Sequence, residues 1–296
     1  MTTIMVTGGT GQLATAMEQE GGPVVRRVGR PGFDFDRPPS IAESVRAMQP
    51  AFVVNAAAWT AVDAAEANPD AAGRANRDGP ATLAALCADA RIPLIHISTD
   101  YVFDGNKGTP YTEADPTSPT GVYGATKLEG EQAVLAACPR AIVLRTSWVY
   151  SATGKNFVRS MLGAAQKTNR LRVVADQQGC PTSARDLAVA ILAVVARLRE
   201  GWQDRYAGVF HAAGAGSTTW HGLAEAVFQD AAAYGLPVPT VDAIATADWP
   251  TPARRPPDSR LDCTKLSQVF GIRLPEWRTG LSRTIAELLA ASPPRP

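Results

Sequence analysis

Apolar residues in the first half of the chain come in short runs, each long enough for one strand, and stretches of helical spacing separate them. Residues 2–7 (Thr-Thr-Ile-Met-Val-Thr), 24–28, 51–54, 93–99 and 141–145 read as strands. Helices are expected up to about Glu20, from Ser40 to about Met48, and from about Asp70 to Ala90. A further helix is expected downstream of Ser118-Pro119, with Ser118 as N-cap and Pro119 as first helical residue; Leu128, Ala133, Val134 and Leu135 follow at helical spacing. The alternation predicts an α/β fold with a parallel, doubly wound sheet. Beyond it, residues 155–167 and 184–199 read as helices, Leu171–Val174 as a short strand, and Trp277–Ala291 as a last helix. Prolines become frequent after Gly208, and the run from Trp249 to Arg260 does not pattern as regular structure.

In such sheets ligands bind beyond the carboxyl ends of the strands. Three segments fall there: Gly8 to Gly11, Ala56-Ala57-Ala58, and Ser98-Thr99. A glycine turn between a first strand and a helix aims backbone N–H groups and the positive helix end at an anion, in a dinucleotide fold the pyrophosphate. The spacing Gly8-x-x-Gly11-x-x-Ala14 departs from the usual G-x-G-x-x-G; alanine is small enough for the third position. The alanines after the third strand let a ligand lie against the backbone, or simply let a helix pack close. After the second strand the usual acidic ribose partner is missing and Arg30 stands nearby. An arginine there suits a 2′-phosphate and tilts toward NADP; an ordinary surface arginine is the equal alternative. Residues 1–147 and 168–208 are therefore expected to form a Rossmann-type NAD(P)-binding domain. Residues 148–167 and 209–291 would form a smaller substrate-binding domain, and 292–296 a disordered tail.

The 296 residues carry Lys+Arg 29 against Asp+Glu 28, which gives no general electrostatic argument for nucleic acid or an anionic membrane. No apolar run is long enough to span a bilayer, and Met1 leads into a strand-like segment, so a cytoplasmic protein is expected. The four cysteines form no C-x-x-C pair and read as reduced thiols; only Cys180 lies in loop-like surroundings that a ligand could reach. His96, His211 and His221 have no metal-ligand spacing, and no metal is expected. Arg254, Arg255 and Arg260 make a candidate anion site, for instance for a diphosphate, or a basic surface loop.

Chemistry enters with Tyr123 and Lys127, which on a helix project from one face a turn apart. Tyrosine ionises near ~10 in water, and an adjacent ammonium lowers that value and makes the phenol usable as a general acid. Thr99 closes a strand upstream. A hydroxyl, a phenol and an amine above a dinucleotide cradle are what carbonyl reduction requires: hydroxyl and phenol hold the carbonyl oxygen, the phenol gives the proton, and hydride comes from the nicotinamide.

These motifs, in this order, resemble the extended short-chain dehydrogenase/reductase superfamily. A narrower resemblance runs through nearly the whole chain. Residues 55–63 (Asn-Ala-Ala-Ala-Trp-Thr-Ala-Val-Asp), 98–105, 122–127, 145–150 and Arg255-Pro256-x-x-Ser259-Arg260-Leu261 are similar to the dTDP-4-dehydrorhamnose reductase family. That resemblance implies NADPH-dependent reduction, with NADH as the alternative coenzyme, of the C4 ketone of a dTDP-linked 4-keto-6-deoxy sugar. It implies Tyr123 as general acid, Lys127 as its partner and ribose ligand, and Thr99 as second donor. Asp100, Tyr101 and Trp148 would meet the sugar and Arg260 the diphosphate. Gly8, Gly11, Gln12, Leu13, Arg30, Asp34, Phe35, Ala56, Ala57, Ala58 and Thr60 would line the coenzyme site. Trp59 stands where a smaller polar ring is expected. Ala16 and Arg185 stand where acids would be needed for a metal at a dimer contact, so the expectation is a monomer or homodimer without metal. Another 4-keto-sugar reductase, or a regulatory subunit that binds dinucleotide without turnover, are the competing readings.

Overall fold

The computed structural model describes residues 3–290; the expected tail at 292–296 lies outside them. Its strands are β1 (Ile4–Thr7), β2 (Val25–Val28), β3 (Phe52–Asn55), β4 (Leu94–Thr99), β5 (Ala141–Thr146), β6 (Val149–Tyr150), β7 (Arg170–Val174), β8 (Gln178–Gly179), β9 (Thr182–Ser183), β10 (Gly208–His211), β11 (Thr218–Thr219) and β12 (Thr240–Ile244). Its helices are α1 (Gln12–Gly21), α2 (Pro38–Met48), α3 (Val62–Glu66), α4 (Pro69–Gly73), α5 (Gly79–Asp89), α6 (Val122–Ala137), α7 (Phe157–Ala165), α8 (Ala184–Arg199), α9 (Trp220–Ala232), α10 (Thr264–Phe270) and α11 (Trp277–Ala290).

Six strands form one parallel sheet in the order β10-β5-β4-β3-β1-β2. Strands β1, β3 and β5 are buried along their whole length and β4 nearly so, as both-face coverage demands of a parallel sheet. One face packs Val6, Met17, Leu187, Ile191 and Phe210 under α1 and α8. The other packs Met5, Ile41, Leu83 and Val134 under α2, α5 and α6. β1 pairs with β2 on one side and β3 on the other, so the chain reverses direction across β1 and a crevice opens beyond the ends of β1 and β3.

A second core gathers Val158, Leu223, Val227, Phe228, Leu281 and Ile285 from α7, α9 and α11. The pairing of two short strands cuts across the expected division. Residues 170–174, assigned to the dinucleotide part, form β7, which pairs with β12 and not with the large sheet. Conversely β10, unrecognised as a strand, is the sixth strand of that sheet, and Leu266 and Phe270 of α10 pack on its core. Both pairings have one reason for escaping the sequence: a four- or five-residue strand carries too little pattern to reveal its partner.

Two helix boundaries also differ. The 70–90 region breaks into α4, a π-helical turn at Arg74–Asp78, and α5. Pro80 lacks an N–H and its ring crowds the carbonyl four residues back, that of Asn76, so the regular ladder opens there. Ser118 does not cap α6. The helix begins at Val122 behind Gly121, and the cap comes from another helix, where Glu66 Oε1 accepts from Val122 N at 2.8 Å.

Candidate active site

A cleft of about 810 Å³ opens beyond the carboxyl ends of β1, β3 and β4. Gly8, Gly11, Gln12, Leu13, Arg30, Asp34, Phe35, Ala56, Ala57, Ala58 and Thr60 line one part of it. Thr99, Asp100, Tyr101, Tyr123, Lys127 and Trp148 line the other. Arg260 is the one predicted site residue absent from its walls.

The backbone at the first part fits a dinucleotide's pyrophosphate. Gly8 and Gly9 take φ +104° and +56°, and a Cβ on Gly8 would lie 3.0 Å from Ala56 O. Gly11 N donates to Gly8 O at 2.9 Å and no side chain caps the first turn of α1, so that turn's remaining amides face the cleft unclaimed. Thr7 Oγ1 donates to Asn55 Oδ1 (2.6 Å) and accepts from Ala57 N (3.1 Å), tying the loops after β1 and β3 together. Arg30 extends into solvent and pairs with Asp34 (2.9 Å) and Asp36 (2.7 Å). A 2′-phosphate would therefore meet a guanidinium shared with two carboxylates.

Tyr123 and Lys127 lie one turn apart on α6. Gly124 lets that helix approach β4's exit, since a Cβ there would sit 2.2 Å from Tyr101 O. The Tyr101 ring meets Tyr123 edge-on, centroids 5.6 Å apart. Lys127 is 2% exposed and its Nζ donates to Ile97 O at 2.6 Å. Burial lowers its pKa to about 8, and Glu131 offsets part of that. The expected depression of the Tyr123 pKa is absent in the free protein: burial pushes the phenol up to about 12, against a hydrogen bond from Thr99 and with the Asp100 charge. The phenol is thus protonated at every physiological pH.

Thr99 Oγ1 donates to Asp100 Oδ1 (3.0 Å) and accepts from Tyr101 N (3.2 Å). Asp100 is 2% exposed and receives Ser259 Oγ on its other oxygen at 2.5 Å. Burial raises its pKa to about 6 despite those hydroxyls. Trp148 holds a left-handed φ of +48° and stacks on Trp220 at 3.6 Å, while a Cβ on Gly179 would strike its indole. Trp220 also lines the cleft, a residue that sequence reasoning missed because nothing local links it to Trp148, 72 positions away.

Two arginines and Cys180 have surroundings that differ from those expected of them. Arg260 is engaged by both oxygens of Asp258 (2.9 and 2.6 Å) and by Gly108 O. Arg255 makes a two-point pair with Asp63, 2.8 Å at each nitrogen. The arginine loop is therefore self-neutralised, except at exposed Arg254. Cys180 is 4% exposed, and burial raises its thiol to about 11, above the usual thiol range.

The model of the RmlD substrate binding domain matches residues 1–290 of the chain. A dTDP-4-dehydrorhamnose reductase of Sinorhizobium fredii is 46% identical over 288 residues, 97% of each chain. A probable dTDP-4,6-dihydroxy-2-methyloxan-3-one 4-ketoreductase of Streptomyces antibioticus is 40% identical over 296 residues, 98% of this chain and 97% of that one. Among solved structures, the dTDP-4-dehydrorhamnose reductase of Bacillus anthracis in complex with NADP superposes with TM-score 0.89 at 30% identity, covering 97% of this chain and 100% of that chain.

Proposed function

The chain belongs to the dTDP-4-dehydrorhamnose reductase family, and from that premise we propose that its cleft reduces the C4 ketone of dTDP-6-deoxy-L-lyxo-4-hexulose to dTDP-L-rhamnose with NADPH. The observation that carries the assignment of roles is the convergence of Thr99, Tyr123 and Lys127 at one end of a cleft whose other end is a glycine-lined, uncapped helix terminus.

The coenzyme, when bound, supplies the hydride. Gly8 to Gly11 and the first-turn amides of α1 would hold its phosphates, and Arg30 would meet a 2′-phosphate. Lys127 would donate to the ribose hydroxyls, and its charge near Tyr123 would stabilise the phenolate left once the proton has gone. Tyr123 holds that proton at Oη and gives it to the ketone oxygen. Thr99, turning its hydroxyl from Asp100, is the second donor to the same oxygen. Trp148, Asp100 and Tyr101 wall the sugar. Burial keeps the Tyr123 phenol protonated and so ready to act as the acid.

Purified protein should oxidise NADPH, followed by loss of absorbance, when given the 4-keto sugar, with dTDP-L-rhamnose as product. The likeness to the Streptomyces ketoreductase favours one second reading, a different dTDP-linked 4-keto-6-deoxy sugar. Tight coenzyme binding without turnover of the first sugar, but with turnover in a panel of such ketones, would select it.

A further inference from the structure

Within the reductase reading, we infer that Gln177 is a positioning residue for the sugar wall, fixing how the stacked indoles of Trp148 and Trp220 face the cleft. The two tryptophans come from different parts of the fold: Trp148 follows β5 of the large sheet, and Trp220 opens α9. Their ring planes lie within 7° of each other at 3.6 Å, and both line the cleft. Stacking holds the separation of two rings far better than their sliding or rotation, because dispersion changes little as one flat face moves over another. A contact at the edge of an indole is needed to keep the pair in register. Gln177 supplies it: its Oε1 accepts from Trp220 Nε1 at 3.2 Å, and the residue is only 5% exposed.

The Gln177 amide has one workable orientation. An indole N–H is a donor only, so it needs the amide oxygen. Thr246 Oγ1 spends its proton on Asp176 Oδ1 at 2.6 Å and therefore accepts from Gln177 Nε2 at 3.0 Å. Asp176 also takes Thr246 N at 2.9 Å on each oxygen, which fixes the hydroxyl that fixes the amide. The support continues along the backbone. Gln178 N donates to Pro257 O (2.8 Å), Gln178 O accepts from Ser259 N (2.9 Å), and Ser259 holds Asp100 beside Thr99. Gly179 then receives the Trp148 indole against its backbone, where a Cβ would lie 2.3 Å away. Residues 176–179 thus reach Trp220, Trp148 and Asp100. None of them lines the cleft, so they act through the residues they hold.

Gln177→Met is the diagnostic variant: it keeps the length of the side chain and removes the amide's acceptor and donor. Two readouts apply to the full chain and need no turnover. Stacked indoles couple their transitions into a paired band in circular dichroism, which reports the Trp148–Trp220 geometry; Trp220→Phe assigns that band by removing one partner. Calorimetric titration gives the affinities for dTDP-L-rhamnose and for NADPH. The expected result is a collapsed paired band, dTDP-L-rhamnose bound about five- to tenfold more weakly, and NADPH affinity at the parent level. Thr246→Val should reproduce the change in smaller measure, and Thr246→Ser, which keeps the hydroxyl, should restore the parent values. A lower melting temperature with paired band and sugar affinity unchanged in Gln177→Met would overturn the inference, as would an equal loss of NADPH affinity. If Gln177→Met does not fold, the Thr246 pair decides alone. A parent that fails to bind dTDP-L-rhamnose would sink the substrate reading, and the paired band would still decide whether Gln177 holds the indoles.

Discussion

The two ends of the cleft meet negative charge in opposite ways. At the coenzyme end the donors are backbone amides on a glycine turn, left without side-chain caps, and one arginine that reaches into solvent. Beyond the other end, outside the cleft walls, the arginines are already occupied: Arg255 by Asp63 and Arg260 by Asp258. The Arg255 hydrogen bonds hold the Asp63 carboxyl below its usual range. The glycine turn therefore offers an anion preorganised backbone amides, which need no counter-charge. The sugar end uses guanidinium groups as braces that fasten an irregular, proline-rich loop to α3 and to the turn after β4. An arginine-rich loop in a sequence can thus mean anchoring as readily as anion binding.

The largest effect expected from any single change is at the junction of the two ends. Tyr123→Phe should lower kcat by about 10²–10⁴-fold while NADPH affinity stays at the parent level, since only the proton donor is removed. Parent-level turnover in a stopped-flow assay would assign the acid elsewhere.

Asp100 tests whether the sugar end is built for function at the expense of stability. Its folded pKa, about 6, lies above the 3.8 of an unperturbed aspartate. The folded protein therefore binds more protons across that window. Stability contributed by this group falls as pH rises from about 4 to 6, and the loss is fully present above it. Two pH units correspond to about 3 kcal/mol. Asp100→Asn should melt higher than the parent at pH 8, with the difference vanishing at pH 4. Equal melting temperatures at both values would contradict the buried-carboxylate account.

Gly8→Ala sharpens the comparison from the coenzyme end. It forces a side chain onto φ +104° and against Ala56 O. NADPH affinity should drop at least about tenfold, with a stability loss of about 1–2 kcal/mol from the strained backbone. Isothermal titration and thermal melting read the two separately, and unchanged affinity would remove the glycine turn from the binding site. The smallest effect is expected of Arg255→Ala. Its partner is 42% exposed, so solvent screening limits the loss to about 1 kcal/mol or less. The KM for the sugar should rise because the brace over Tyr101 slackens, and NADPH affinity should not move. A change in NADPH affinity instead would break the division between the ends.

What the chain declares by itself is local. Near-continuous apolar strands alternate with helices, Gly8 to Gly11 follows the first strand, and Tyr123 and Lys127 stand four apart: these require only near neighbours to be read, and the doubly wound sheet with its cleft follows from them. Family resemblance carried the reading further, to the reductase and its coenzyme. Tertiary structure decided everything that depends on a distant partner. Glu66 and not Ser118 caps α6, β7 joins β12, β10 closes the large sheet, and Trp220 backs Trp148. Burial moves the pKa values of Tyr123, Lys127 and Asp100 away from their solution values, because desolvation is a property of a packed neighbourhood and no spacing along the chain encodes it. The same holds for Arg255, Arg260 and Gln177: a side chain's donors are visible in sequence, but which acceptors they meet is fixed only when remote segments are brought together.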